Sequence, residues 1–156
     1  MIILAIDPGP VKSAWVRLDS GKVRESAHED NAEVLKLLRG ATPALGQILA
    51  VEMIACYGMP VGAEVFETCV WTGRFMEAWI QQTALPVTRV PRIKIKTHLC
   101  NSARAKDGNV RQALIDRLGA PGTKKDPGPT YGVSGDVWAA LAVGVYVADH
   151  QILRAA

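Results

Sequence analysis

The sequence contains little that could cross-link or anchor a small protein. It has only three cysteines, Cys56, Cys69 and Cys100, an odd number without paired spacing, which argues against a disulfide framework. No CxxC motif or Cys/His pair indicates zinc, so we expect buried free thiols in a reducing compartment. No apolar run reaches the roughly 18 residues of a membrane-spanning helix, and the N-terminal run lacks the basic start of a signal peptide. We therefore expect a soluble cytoplasmic protein without a membrane partner.

Side chains for covalent catalysis are also scarce. No convincing Ser/His/Asp or Cys/His arrangement can be assembled from this sequence. The charge is nearly balanced, because 18 Lys and Arg residues face 15 Asp and Glu residues and leave a net charge of +3. This charge permits nucleic-acid binding but does not require it. The length of 156 residues fits one domain, which we expect to cover residues 1–156.

The hydrophobic pattern predicts an α/β protein with a five-stranded mixed sheet. The predicted strands are 2–6, 13–18, 23–28, 47–54 and 86–91. The predicted helices are 31–39 with Asn31 as its cap, 63–82, 94–99, 107–118, and about 134 to 152. Short turns join the first three strands, which should form an antiparallel meander. The later crossovers must be right-handed and place helices on both faces of the sheet.

Three acidic residues lie where a charge is costly. Asp7 ends the first apolar strand, Glu52 lies inside the apolar fourth strand, and Asp136 lies in the first turn of the apolar final helix. Burying an unpaired carboxylate costs several kcal/mol, so each acid needs a partner, a proton or a metal ion. If the first and fourth strands are neighbours, Asp7 and Glu52 converge at adjacent strand ends. The final helix could then lay Asp136 across them.

Three converging carboxylates need a cation, and Mg²⁺ suits such oxygen ligands. Two ions about 3.5–4 Å apart could hold a phosphodiester and activate water without a nucleophilic side chain. Each acid also has a purely structural explanation, which stays open at this point. Asp7 could make a turn before Pro8, Glu52 could pair with an arginine, and Asp136 could interact with the helix dipole.

In this order, the motifs resemble those of one family. IDPG at the end of the first strand, a lone glutamate in the fourth, and GDVWAALAVG in the last helix are similar to RuvC-like Holliday junction resolvases, particularly the phage-type branch. The resemblance continues through GAEVFETCVWTGRF, KDGNVRQALIDRLG and GPTYGVSGD. It implies an RNase H-like fold, two Mg²⁺ or Mn²⁺ ions per active site, and a homodimer that nicks opposing strands of a four-way junction. A phage-encoded member would act in the host cytoplasm.

The resemblance also assigns expected roles to particular residues. By position, Asp7, Glu52 and Asp136 match the metal-binding acids of the family. Lys106 matches the region where the family keeps a basic residue near its active site, and we expect it to be catalytic. Family members often have a fourth acid or a histidine three residues before the last Asp, where this chain has Val133. Either three acids suffice, or another acid substitutes, the candidates being Glu64, Asp107 and Asp126.

Basic residues after the fifth strand predict a surface that contacts DNA phosphates. The stretch includes Lys94, Lys96 and His98, and the expected DNA contacts are Arg104, Lys106, Arg111, Lys124 and Lys125. A solvated helix face is the alternative explanation for these charges.

Aromatic residues carry two further expectations. Tyr57 follows Glu52 at a place where related enzymes carry an aromatic wedge, and stacking on a base or packing in the core stay equally open. In the middle helix, Trp71, Phe75 and Trp79 predict mainly packing on the sheet, with a dimer contact as the second explanation.

Three functions are compatible with these features. The first is a structure-selective endodeoxyribonuclease that acts on four-way junctions or other branched DNA. The second is an RNase H-like nuclease with another substrate, such as RNA or a flap. The third is a non-catalytic DNA-binding module, which the presence of all three acids disfavours. An actin-like kinase, which IDPG also resembles, would need a second half-domain.

Overall fold

The computed structural model describes residues 1–42, 46–55 and 58–155, with side chains described up to residue 151. The strands are β1 (Ile2–Asp7), β2 (Lys12–Asp19), β3 (Lys22–Asp30), β4 (Gln47–Met53) and β5 (Val87–Pro91). The helices are α1 (Asn31–Arg39), α2 (Ala63–Thr83), α3 (Arg92–Cys100), α4 (Asp107–Leu118) and α5 (Val137–Ala155). Each predicted strand and helix is present, although α3 begins directly after β5 and α5 begins a few residues later than predicted. In the described part of the chain, no helix combines the length and apolar character needed to cross a membrane.

The sheet has the predicted topology. Its strand order is β3-β2-β1-β4-β5, with antiparallel pairing among the first three strands and parallel pairing of β4 with β1 and β5. The turn between β2 and β3 is Ser20-Gly21, and both residues have positive φ, as a two-residue type I′ hairpin requires. The fold class predicted from the sequence, a five-stranded mixed α/β sheet with an antiparallel meander, is therefore confirmed.

Side-chain alternation gives the sheet two apolar faces. Ile3 and Ala5 of β1 belong to the core under α3, α4 and α5, whereas Leu4 and Ile6 belong to the core under α1 and α2. Phe75 and Trp79 are fully buried in the second core, and Trp71 packs partly against it. Packing on the sheet, the first explanation for the aromatic residues of the middle helix, is thus the one that the structure supports.

Two local predictions are wrong. Asn31 does not cap α1 with its side chain but is buried, where it donates to the Gly9 carbonyl oxygen (2.9 Å) and accepts a hydrogen bond from Ser13 Oγ (2.5 Å). This bonding fastens the turn after β1 to α1, because a buried polar group needs a partner. Cys69 is exposed rather than buried, because it lies on the solvent side of α2, and Cys100 is partly exposed. Cys56 lies outside the described residues.

Asp149 ties three helices together. It accepts hydrogen bonds from His98 of α3 (2.6 Å) and from both terminal guanidinium nitrogens of Arg117 of α4. Burial alone would raise the pKa of Asp149, but the hydrogen bonds from Arg117 and His98 hold it below its ordinary value. These contacts set α3 and α4 against α5, so the residues at their N-terminal ends have defined positions relative to the start of α5.

We predict that Gly144→Val lowers the free energy of unfolding by about 1–3 kcal/mol, because it overpacks the contact between α5 and the sheet. A Cβ atom at Gly144 would lie 2.7 Å from Leu18 Cδ1 and 3.3 Å from Ala5 Cβ. Gly73→Val in α2 is the matched control, since a Cβ atom there meets nothing within 4 Å. It should change stability by less than about 0.5 kcal/mol. Urea unfolding compares the two, and equal losses would contradict the close packing of α5.

Candidate active site

A cavity of about 100 Å³ lies at the carboxyl ends of β1 and β4, next to the start of α5. Its acidic lining residues are Asp7, Glu52, Asp107 and Asp136, and its basic ones are Arg92 and Lys96. Apolar side chains, including Ile95, Val110 and Trp138, form the rest of the wall. The three acids singled out in the sequence therefore meet at one place, although they lie far apart in the chain.

Strand register brings the first two acids together. Ile6 pairs with Val51 in the parallel ladder of β1 and β4, so the residues that follow, Asp7 and Glu52, lie side by side. Alternation directs both toward the face covered by α5, because Ala5 and Ala50, two residues earlier, belong to that core. Parallel strands end at the same edge of a sheet, which explains why the sequence could predict this pair.

Helix N-termini supply three further polar residues of the cavity. Asp136 immediately precedes α5, and its carbonyl oxygen accepts a hydrogen bond from the Ala139 N–H (2.9 Å). Asp107 is the first residue of α4, and Arg92 is the first residue of α3. Carboxylates at such positions interact favourably with the helix dipole, so Asp107 and Asp136 add negative charge at low cost.

Among the described residues, Asp7 is the one acid of the cavity without an ion-pair partner. Burial, together with the charge of Glu52 and of the more distant Asp136 and Asp107, raises the pKa of Asp7 to about 8, although Arg92 opposes the rise. Within the described residues, no group donates a hydrogen bond to its carboxylate. A metal ion or a proton is what this carboxylate requires.

Glu52 has a different environment, because it is paired with an arginine. Arg92 Nη1 lies 2.9 Å from both carboxylate oxygens of Glu52, and Arg92 Nη2 lies 2.6 Å from Asp107 Oδ1. Burial raises the pKa of Glu52, since only 7% of the residue is exposed, and Arg92 partly offsets the rise. For Arg92, burial would lower the pKa, but the two carboxylates raise it above its ordinary value. The arginine partner that the sequence left open for Glu52 is thus present.

Arg92 and two other residues were not assigned to the site from the sequence. Arg92 follows β5 directly, and Val90 of β5 pairs with Glu52, so its place at a parallel strand end was the available signal. Lys96, known from the sequence only as part of a basic stretch, lines the cavity 4.0 Å from Asp107. His28 Nε2 lies 3.6 Å from Asp136 Oδ2, and no sequence signal linked these two residues.

The structure shows which of the candidates for the expected fourth acid lies beside the other three acids. Val133 is buried in the core and contributes no polar group. Among the three alternatives, Asp107 lines the cavity, whereas Glu64 and Asp126 do not line it. Asp107 is therefore the only one of the three that adds its charge to the cluster.

The predicted DNA contacts lie on the surface outside the cavity. Arg104, Lys106, Arg111, Lys124 and Lys125 all have exposed side chains. Lys106 directly precedes Asp107, and its N–H donates to Asn109 Oδ1 (2.9 Å). The Arg111 guanidinium lies 5.2 Å from the ring centre of Trp138, which lines the cavity. Tyr57 lies outside the described residues, and the functional roles of all these residues stay predictions.

The donor set of the cavity suits a hard divalent ion such as Mg²⁺. The available ligands are carboxylate oxygens, and the buried charge of Asp7 lacks compensation. Among the described residues, however, no three Asp, Glu, His or Cys side chains are already arranged closely enough to enclose an ion. Both oxygens of the Glu52 carboxylate are bonded to Arg92.

We predict that stability in metal-free buffer falls as the pH rises from about 4 to about 8, because of Asp7. Its pKa is raised from 3.8 in the unfolded chain to about 8, so the folded state binds the extra proton throughout this range and loses that advantage as the pH rises. Asp7→Asn should remove this component, and its advantage over wild type should grow toward pH 8. Urea unfolding in EDTA at several pH values measures it. If the difference in free energy of unfolding between the two proteins stays the same at every pH, the pKa of Asp7 is not raised in the folded state.

Comparisons with known proteins support the fold. No protein-family model matches the chain, and no curated protein sequence matches it significantly. The structure of RuvC from Thermus thermophilus has 19% sequence identity and a TM-score of 0.68, over 98% of this chain and 96% of RuvC. T. thermophilus RuvC in complex with a Holliday junction substrate has 19% identity and a TM-score of 0.66, over 97% of this chain and 94% of that one. The chain thus has a RuvC-like fold along nearly its whole length.

Proposed function

We propose that residues 1–156 act as a metal-dependent endodeoxyribonuclease that resolves four-way junctions or other branched DNA by phosphodiester hydrolysis. The observation that carries this proposal is the cavity lined by Asp7, Glu52, Asp107 and Asp136 in a RuvC-like fold. A RuvC of this fold has been solved on a Holliday junction substrate, which makes branched DNA the first substrate to test. The phage-type branch and a cytoplasmic location belong to the same proposal and rest on the motifs and composition of the sequence.

In this proposal, Asp7, Glu52 and Asp136 hold Mg²⁺ or Mn²⁺. Two bound ions would supply charge neutralisation, activation of water and stabilisation of the leaving oxygen. The chain itself supplies a rigid frame, because Asp7 and Glu52 project from neighbouring strands and Asp136 is held at the start of α5. Lys96 in the cavity wall and Lys106, which directly precedes Asp107, are suited to neutralise the phosphate that is cut.

The exposed basic residues around the start of α4 would hold the DNA near the cut. Lys124 and Lys125 would contact it farther away, because their loop runs beside the β2–β3 hairpin at the opposite end of the sheet from Asp7. Arg104, Lys106 and Arg111 lie at or near the start of α4, and Lys124 and Lys125 lie in the loop between α4 and α5. Contacts of this kind position phosphates without reading sequence, so binding should weaken with added salt. We include Tyr57 as a residue that could stack on an unpaired base.

We propose that the active form is a homodimer that uses α2. Phe66, Val70 and Ile80 are 62%, 55% and 45% exposed, and their spacing puts them on one side of the helix. This stripe differs from the one predicted from the sequence, since Phe75 and Trp79 are buried against the sheet. An isologous dimer would present two active sites to a two-fold symmetric junction.

We predict that Asp7→Asn lowers the cleavage rate of a synthetic four-way junction in Mg²⁺ by at least about a hundredfold, since the loss of one charged ligand weakens the stabilisation that the ions supply. Junction binding should persist or tighten, because a charge that repels phosphate is removed. Asp19→Asn, at the opposite end of the sheet, is the matched control and should cut normally. EDTA should abolish cleavage by every variant. Cleavage retained by Asp7→Asn would exclude Asp7 from the mechanism.

The substrate itself is tested with the wild-type protein. The experiment compares cleavage rates in Mg²⁺ and in Mn²⁺ on five substrates: a four-way junction, a flap, a Y-fork, a linear duplex and an RNA–DNA hybrid. The proposal expects the junction to be cut fastest. Preference for the hybrid or the flap would favour the alternative RNase H-like nuclease, and junction binding without any cutting would favour a non-catalytic module.

We predict that Val70→Glu weakens self-association, because it places two like charges in the proposed isologous contact. Val11→Glu is the control, since Val11 is also highly exposed but lies in the turn after β1. Sedimentation over a range of protein concentrations measures the dimer with and without junction DNA. A dimer that survives Val70→Glu would place the interface elsewhere.

A further inference from the structure

Arg92 is bonded to the Glu52 carboxylate, which the proposed metal site would need as a ligand. Both oxygens of Glu52 lie 2.9 Å from Arg92 Nη1, and Glu52 is 7% exposed, so little room is left for a second cation on this side chain. A guanidinium and a divalent ion at the same carboxylate would repel each other strongly in a partly buried site. Arg92 and a metal ion therefore compete for Glu52.

Asp107 offers Arg92 a second position. Arg92 Nη2 already lies 2.6 Å from Asp107 Oδ1, and the Asp107 side chain is 77% exposed. The Arg92 side chain is itself 36% exposed, so rotation away from Glu52 would carry its charge toward solvent without breaking the contact with Asp107. Lys96 Nζ, 4.0 Å from the same oxygen, shows that Asp107 can accept more than one cation.

Arg92 also stabilises the cavity when it contains no metal ion. Removal of one partner from a buried ion pair leaves the other charge uncompensated, which is strongly destabilising. Asp7 lies beside Glu52, and in the described part of the chain no cation lies within ion-pair distance of it, so the loss of Arg92 would leave these two acids without a close positive charge.

We propose that Arg92 is an internal counter-ion, which neutralises Glu52 in the metal-free protein and must leave it when a divalent ion binds. Arg92 thereby sets the metal concentration at which the site fills. This inference rests on the metal site of the proposed function.

The test is Mn²⁺ binding to the DNA-free protein, measured by isothermal titration calorimetry. Binding at this site is defined as the heat that Asp7→Asn abolishes. We expect Arg92→Gln to bind Mn²⁺ at least about tenfold more tightly than wild type, because the competing cation is gone. Arg89→Gln removes the same charge from an exposed position on β5 and should change the affinity by less than about twofold.

Thermal unfolding gives a second readout. Arg92→Gln should have a lower Tm than wild type in EDTA and a larger rise in Tm on addition of Mg²⁺. If Arg92→Gln does not fold without metal, Arg92→Lys replaces it, since lysine keeps the charge but cannot bridge two carboxylates through a planar fork. Its affinity should lie between those of wild type and Arg92→Gln.

Unchanged or weaker Mn²⁺ binding by the Arg92 variants would overturn this inference, because Arg92 would then hold Glu52 in place for the ion instead of competing with it. That result would leave the proposed nuclease intact. Absence of any heat that depends on Asp7, in wild type and in both Arg92 variants, would instead overturn the metal site and this inference with it.

Discussion

The burial of two adjacent carboxylates at one end of the sheet is the constraint on which the site depends. Asp7 and Glu52 lie side by side on neighbouring parallel strands, where water cannot fully solvate either charge. Arg92 compensates Glu52 through two hydrogen bonds, and Asp7 is left to hold a proton or a cation. Apolar residues of similar size would often pack there at no greater cost in stability.

The rest of the fold holds this end of the sheet together. Small residues on β1 and α5 let the helix approach closely, and this contact brings Asp136 toward the strand ends. Asp149 fastens α3 and α4 to α5, which orients the N-termini that carry Arg92 and Asp107. The chain shares its fold with RuvC at 19% identity, because many different sequences can provide the alternating apolar residues that pack such a sheet. The chemistry of the cavity depends on far fewer residues.

The sequence predicted features that depend on local interactions better than features that depend on contacts between residues far apart in the chain. Strands and helices were predictable because a period of two or of 3.6 residues is local. The convergence of Asp7 and Glu52 required only one assumption, that β1 and β4 are neighbours, and the observed sheet order meets it. Asn31 was assigned to the wrong role, because its partners lie some twenty residues earlier, Gly9 in the turn after β1 and Ser13 in β2. Cys69 was expected to be buried, since average burial ignores which side of a helix faces solvent.

By itself, the sequence determined the α/β architecture and identified the acids that would be costly to bury, because hydrophobic periodicity and the rarity of charge in apolar strands are properties of the chain alone. Only the tertiary structure decided which charges share the cavity. Arg92, Lys96, Asp107 and His28 come from three different elements and reach the acids only through packing of α3 and α4 and pairing of β3. The physical reason is that electrostatic partners act over a few ångströms in space, whatever their separation along the chain.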